Sequence, residues 1–205
     1  MLVSLAAFTV ASALIVLLPG PDTLVVLRNL TRGGRRRGLR TALGVMTGLT
    51  VWMVSAALGL SALLKASHDG YLALRVAGAL YLGWMGVTTL RAKPHQAADA
   101  AREPRTGLLG SGYTAGLLTD LLNPKVGVFF MSFMPGFVPD GAPVAATSLL
   151  LGAIFVFLTG CYFAALLALS GPVIRWLADG PVRRWVDRAT GLVLLAFGVR
   201  LAVEP

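Results

Sequence analysis

Apolar stretches of about membrane-crossing length, separated by short polar connections, set the pattern of this chain. A helix needs about 20 predominantly apolar residues to cross a bilayer core. Six such segments can be drawn, at residues 2–27, 39–64, 71–90, 108–134, 143–174 and 189–203. Pro19-Gly20-Pro21-Asp22 interrupts the first, and Asn123-Pro124-Lys125 interrupts the fourth. The sixth is short and is expected to begin before Asp187. Ala11-Ser12-Ala13 resembles a signal-peptide cleavage site. No basic n-region precedes it, and the apolar run continues beyond it, so the first segment is read as a span. The pattern predicts an all-α polytopic membrane protein with six transmembrane helices in a single domain over residues 1–205.

Composition agrees. Of 205 residues, 56% are hydrophobic and 13% are charged, and the mean hydropathy is +0.76. Soluble domains carry about 25% charged residues, so disorder and an ordinary soluble enzyme are excluded. Cys161 is the single cysteine, which rules out an intramolecular disulfide and any Cys-rich metal site. His68 and His95 fall in connections with no second ligand nearby. No metal and no cofactor are expected. Phosphate-loop and Gly-x-Ser-x-Gly motifs are also missing, so neither an ATP-driven pump nor a soluble-type hydrolase finds support.

The net charge of +9 is unevenly placed. Arg28, Arg32, Arg35, Arg36, Arg37 and Arg40 lie in the first connection. Arg91, Lys93, Arg102 and Arg105 lie in the third, and Arg175, Arg183, Arg184 and Arg188 in the fifth. The second connection has only Lys65 and the fourth has none. Basic residues are retained on the cytoplasmic side, so the odd connections face inward and both termini face outward. The Arg28–Arg40 cluster has no interleaved aromatic residue to stack a base. It therefore reads as a topology determinant touching anionic headgroups, not as a nucleic-acid site.

Each half, about 1–92 and 107–205, has three segments and opens on a Pro-broken one. An odd number of spans per half places the halves in opposite orientations, which predicts two inverted three-helix repeats with Pro-broken first and fourth helices meeting near the centre. Gly44-x-x-x-Gly48, Gly112-x-x-x-Gly116 and the Gly78, Ala79, Gly83 face let helix backbones approach closely. Such faces serve intramolecular packing and a homodimer equally well.

Polar residues inside the spans carry the candidate chemistry. Pro19, Gly20 and Pro21 form a helix break, and the two prolines leave the carbonyls near Ile15 and Leu17 without their usual donors. Asp22 follows at the start of the resumed helix, where it can cap exposed amides, bind a cation or take up a proton. Six residues short of Arg28, it sits about 9 Å from it along a straight helix, nearer the cytoplasmic side than the midplane if Arg28 marks the inner interface, and deeper if the helix breaks at Pro19–Pro21 with Arg28 in an inner cavity. Pro124 is the second break. Lys125 costs about 2.5–3.5 kcal/mol to insert in lipid, so it either faces the bundle interior with a partner or snorkels to an interface. Asp120 stands about 140° from Lys125 around a regular helix and is a poor same-face partner. Asp22 is the alternative partner by symmetry. Ser55, Thr47, Thr50, Thr114, Thr119, Tyr81 and Tyr162 read as interhelical glue. Trp52, Trp84, Trp176 and Trp185 read as interfacial anchors.

Pro19-Gly20-Pro21-Asp22, the Gly33-Gly34-Arg35-Arg36-Arg37-Gly38 connection, Gly44 and Gly48, and Leu122-Asn123-Pro124-Lys125 before Phe129-Phe130 together resemble the LysE/RhtB family of amino-acid exporters. The likeness runs through essentially the whole chain. It implies a bacterial inner-membrane protein that moves amino acids or close derivatives outward using the proton gradient. Members with different amino-acid substrates share these motifs, so the resemblance leaves the substrate open.

A zwitterionic amino acid needs a partner for each charge when desolvated. Asp22 is the candidate for the ammonium, and Lys125 with Asn123 for the carboxylate. Asp22 is also the candidate proton-coupling group. The expected partners are thus a small-molecule substrate and membrane lipid. A membrane scaffold without transport activity, or an integral-membrane enzyme, are the competing readings. The scaffold leaves Asp22 and Lys125 unexplained, and the enzyme lacks paired carboxylates or a His cluster.

Overall fold

The computed structural model describes residues 2–17, 20–91, 111–139 and 141–168, together with Arg188, Gly191, Leu192, Leu195, Ala196, Gly198 and Val199. All regular structure among them is helical. Helix α1 covers Leu2–Leu17, α2 Pro21–Ala66, α3 His68–Arg91, α4 Tyr113–Leu121, α5 Pro124–Val128 and α6 Val144–Ala168. A π-helical turn, Phe129–Phe133, and a 3₁₀ turn, Met134–Phe137, continue α5. By length and composition, Pro21–Gly59 and Val144–Ala168 are long and apolar enough to cross a membrane. The expected boundaries of the sixth segment, and Trp176 and Trp185, lie outside the described residues.

The 46 residues of α2 would extend about 69 Å if straight, far more than a bilayer core. One residue prevents this. Gly34 has φ 68° and ψ −178°, a conformation L side chains avoid. Gly38 then packs against Leu30, eight residues earlier, whereas a straight helix separates such residues by about 12 Å. The chain therefore turns back at Gly34. The Arg-rich stretch expected as a connection is instead helical on both sides of this turn, because arginine is a good helix former and glycine alone supplies the reversal. Arg35 also donates from Nη2 to the Ala168 carbonyl (2.9 Å), tying the turn to α6.

Glycines set the main helix contact. The second arm of α2 lies directly on α4. Gly44 faces the backbone of Tyr113 and Leu117, Gly48 faces the Asp120 carboxylate, and Gly116 faces the Thr41 carbonyl and the Val45 amide. The two Gly-x-x-x-Gly stripes thus face each other within one chain, and the Tyr113 hydroxyl donates across them to Thr47 Oγ1 (2.9 Å). The small-residue face of α3 is covered as well, with Ala79 and Gly83 meeting Gly198, and Gly86 meeting Gly191 and Leu195. Several threonine hydroxyls inside the helices turn back onto their own backbone. Thr9 donates to Leu5 O (2.8 Å), Thr50 to Met46 O (2.8 Å) and Thr159 to Phe155 O (2.9 Å), which removes unpaired donors from lipid.

Aromatic rings fill the space between α1, α6 and the irregular turns after α5. Phe129 stacks on Phe155 at 4.3 Å between centroids, and Phe8 meets Phe137 edge-on at 5.3 Å. Trp52, expected as an interfacial anchor, is half-buried against Gly127 and donates from Nε1 to the Asp120 carbonyl (3.4 Å). Its ring is drawn inward because Gly127 offers no side chain to exclude it.

The glycine contacts make a direct prediction. Gly48→Val and Gly116→Val each cost about 1–3 kcal/mol or more by overpacking, read as a lower thermal midpoint in detergent. Gly59→Val is the control, since a Cβ there meets nothing within 4 Å. Equal midpoints for all three variants would show that the glycine stripe is not a tight contact.

Candidate functional site

The site is assembled from two interrupted helices. α1 is described as far as Leu17, Gly20 is non-helical, and helical hydrogen bonding starts again with Leu24 N–H donating to Gly20 O (3.0 Å). Pro21 occupies the first turn of α2, where its missing N–H costs nothing. Asp22 follows in that turn, with its charge at the positive end of the helix dipole. Pro19 lies outside the described residues.

The second interruption follows α4. Leu122 is exposed, and Asn123 caps α5 through its side chain, with Oδ1 accepting from the Lys125 N–H (3.1 Å). Pro124 opens α5. The Asn123 carbonyl accepts from the amides of Val126 (3.1 Å) and Gly127 (3.2 Å), so most backbone groups around this break find partners locally.

The two breaks meet. Asn123 Nδ2 donates to Asp22 Oδ2 at 2.8 Å, across 101 residues of sequence. The amide side chain of Asn123 therefore serves both helices at once, with its oxygen on α5 and its nitrogen on the first turn of α2. Lys125 Nζ reaches the Ile15 carbonyl at 3.5 Å. In a regular helix that carbonyl would accept from residue 19, but residue 19 is a proline with no N–H. The lysine passes close to Gly20, its Nζ 3.6 Å from where a Cβ would stand, an ordinary contact distance. Lys125 and Asp22 lie within Coulombic range of each other. The lysine thus runs into the protein between the two breaks.

A cavity of about 50 Å³ opens beside these groups. Asp22, Asn123 and Lys125 form its charged and polar wall, with Ile15, Val45, Leu49, Phe129, Phe155 and Phe163 opposite. Thr23, Thr159 and Tyr162 add hydroxyls. A space of this size admits a few water molecules and no amino acid, so a bound substrate requires the walls to part.

Two features escape a reading of spacing. Tyr162, expected as glue, lines the cavity because α6 packs across α1 and α2. Asp120 is fully buried, and neither of its carboxylate oxygens has a hydrogen-bond partner. It faces Gly48, away from the Lys125 partnership that its spacing already disfavoured. The available signal was an acid within an apolar run that packs on a glycine stripe.

The family described as LysE type translocator matches residues 13–205. The chain belongs to the LysE family. Among curated relatives of this LysE-family chain, the threonine efflux protein of Salmonella typhi is 32% identical over 96% of the chain and 97% of the relative. The threonine efflux protein of Escherichia coli (strain K12) is 31% identical with the same coverage. An uncharacterized Bacillus subtilis (strain 168) membrane protein, YrhP, is 29% identical over 98% of the chain and 99% of its own length. No solved structure matches the chain. The chain is thus a membrane protein of the LysE type translocator family.

The bridge between the breaks has a measurable stability. Asn123→Ala removes a charge-assisted hydrogen bond and a helix cap together, at a cost of about 2–4 kcal/mol. Leu122→Ala, at an exposed position, is the comparison. Thermal unfolding of the two variants in detergent should separate them clearly, and coincident curves would mean the bridge contributes nothing.

Proposed function

We propose that this LysE-family chain is a secondary transporter that exports an amino acid or close derivative from the cytoplasm by proton antiport. The observation that carries the proposal is the convergence of Asp22, Asn123 and Lys125 on one small cavity where two Pro-broken helices meet. Opposite charges held beside freed backbone suit a zwitterion. Asp22 takes the ammonium, and Lys125 with Asn123 takes the carboxylate. Without substrate, Asn123 and Lys125 attend to Asp22 themselves, so the empty site does not hold a bare buried charge.

Exchange follows from competition. An ammonium and a proton are both drawn to the Asp22 carboxylate and do not occupy it together, so proton binding from outside favours release of the amino acid there. Threonine is the first substrate to test, because two of the relatives are threonine efflux proteins.

The same proposal places the chain in the bacterial inner membrane with six spans and both termini outside. It arranges residues 1–92 and 107–205 as inverted halves of a single transport domain. The glycine stripes between α2 and α4 are occupied within the chain, so a homodimer would use another face.

Everted vesicles loaded with labelled amino acids test the transport reading. Threonine should accumulate under an imposed proton gradient and be lost on adding an uncoupler. Lys125→Ala should abolish substrate binding, and Asp22→Asn should abolish gradient-driven movement and its pH dependence. Normal export by Asp22→Asn would reduce that residue to a helix cap.

Cysteine labelling on a Cys161→Ser background tests the orientation. Cysteines placed at Ala98 and Ser111 should resist an impermeant reagent in intact cells, whereas one at Gly141 should react. The opposite pattern would invert the topology.

A further inference from the structure

Asp120 has no part in the zwitterion site, yet its chemistry is more demanding than that of its neighbours. The residue is 0% exposed, and both carboxylate oxygens lack a hydrogen-bond donor. The nearby donors are committed elsewhere. Trp52 Nε1 points at the backbone carbonyl of Asp120, not at its carboxylate. Asn123 Nδ2 is on Asp22, and Lys125 Nζ is on the Ile15 carbonyl. Gly48 presses against the carboxylate and leaves no room for a bulky counter-group.

The surrounding charges can be named. Asp22, at the start of α2, lies within Coulombic range of Asp120. From the second arm of α2, Gly48 faces the carboxylate and Trp52 the backbone carbonyl of Asp120, and neither titrates at ordinary pH. Lys125 stands five residues further along the same segment and reaches away, toward α1. Asp22 Oδ1 is also without a donor. The cluster therefore presents three acceptor oxygens without partners, and one lysine for two carboxylates.

Such a cluster calls for one more positive charge, small enough to reach a carboxylate packed on glycine. We propose that Asp120 is a second proton-binding group of the transport site, acting with Asp22. This rests on the exporter reading and deepens it. A proton on Asp120 and a substrate ammonium at Asp22 are like charges in a confined, poorly solvated space. Each weakens the binding of the other without sharing an atom, and the exchange of amino acid for proton becomes an electrostatic coupling between adjacent sites. No bond in the substrate changes. The O–H bond formed on Asp120 as a proton arrives is broken as the ammonium docks, and the proton leaves toward water.

The test uses the full-length protein purified and reconstituted into liposomes. Infrared difference spectra near neutral pH should show the carbonyl stretch of a protonated carboxylic acid in wild type that Asp120→Asn lacks. Asparagine matches aspartate in size, so packing against Gly48 is retained. Gly48→Ala, which crowds the carboxylate directly, should displace the same band and provides a second variant. In liposomes with a trapped pH dye, Asp120→Asn should retain threonine counterflow while proton movement per threonine falls below the wild-type ratio.

An identical carboxylic-acid band in wild type and Asp120→Asn would overturn the proposal. So would an unchanged proton-to-threonine ratio, or a carboxylate that stays ionised and responds to sodium instead. Loss of threonine counterflow in wild type would instead count against the exporter reading. The infrared comparison still decides the Asp120 assignment in that case.

Discussion

Lipid donates and accepts no hydrogen bonds, so a helix that breaks inside a bilayer must find partners for its freed backbone within the protein. The two breaks that meet at the site each supply what the other lacks. Pro19 deprives the Ile15 carbonyl of its helical donor, and Lys125 from the second break reaches that carbonyl. Asn123 caps its own helix with one side-chain atom and holds Asp22 of the other with its second. Removing either break would leave a charged or polar group of the other without its partner. The polar site is thus also the joint that keeps the two interrupted helices together.

That joint is precise because its surroundings are rigid. α2 and α4 approach at backbone distance along their glycines, which fixes the position of Asp120 and, three residues later, of Asn123. The aromatic cluster from Phe129 to Phe137 then steers the chain through a π-helical and a 3₁₀ turn, winding changes that often accompany functional sites. Packing, not local propensity, carries Tyr162 and Thr159 of α6 to the same cavity. The hydroxyl side of the pocket therefore depends on contacts between segments far apart in sequence.

Much of this was legible in the residues alone. Apolar run length announces spanning helices, prolines announce the breaks, and the rarity of charge inside spans singles out Asp22 and Lys125. Small-residue spacing marks which faces pack closely. Spacing does not say which face meets which, so the mutual contact of the two glycine stripes and the inward turn of Trp52 appear only in three dimensions. The helical arginine stretch was hidden for a related reason. A single glycine performs a reversal that composition reads as a loop. Asp120 was weighed only as a partner within its own helix, because helical angles describe one helix and its surroundings belong to another.

The glycine contact also constrains how the sequence can drift. Any base change that replaces a glycine adds at least a β-carbon. At Gly44 and Gly116 that carbon would meet backbone carbonyl oxygen, and at Gly48 it would meet the Asp120 carboxylate. Backbone cannot be trimmed to make room. No graded series of tolerated intermediates connects these positions to any other residue, whereas exposed positions of α2 such as Leu39, Leu43, Val51 and Val54 are under no such steric limit. Mutational variation in a population carrying this protein is therefore channelled onto the outside of the bundle, and the inner seam stays closed to it.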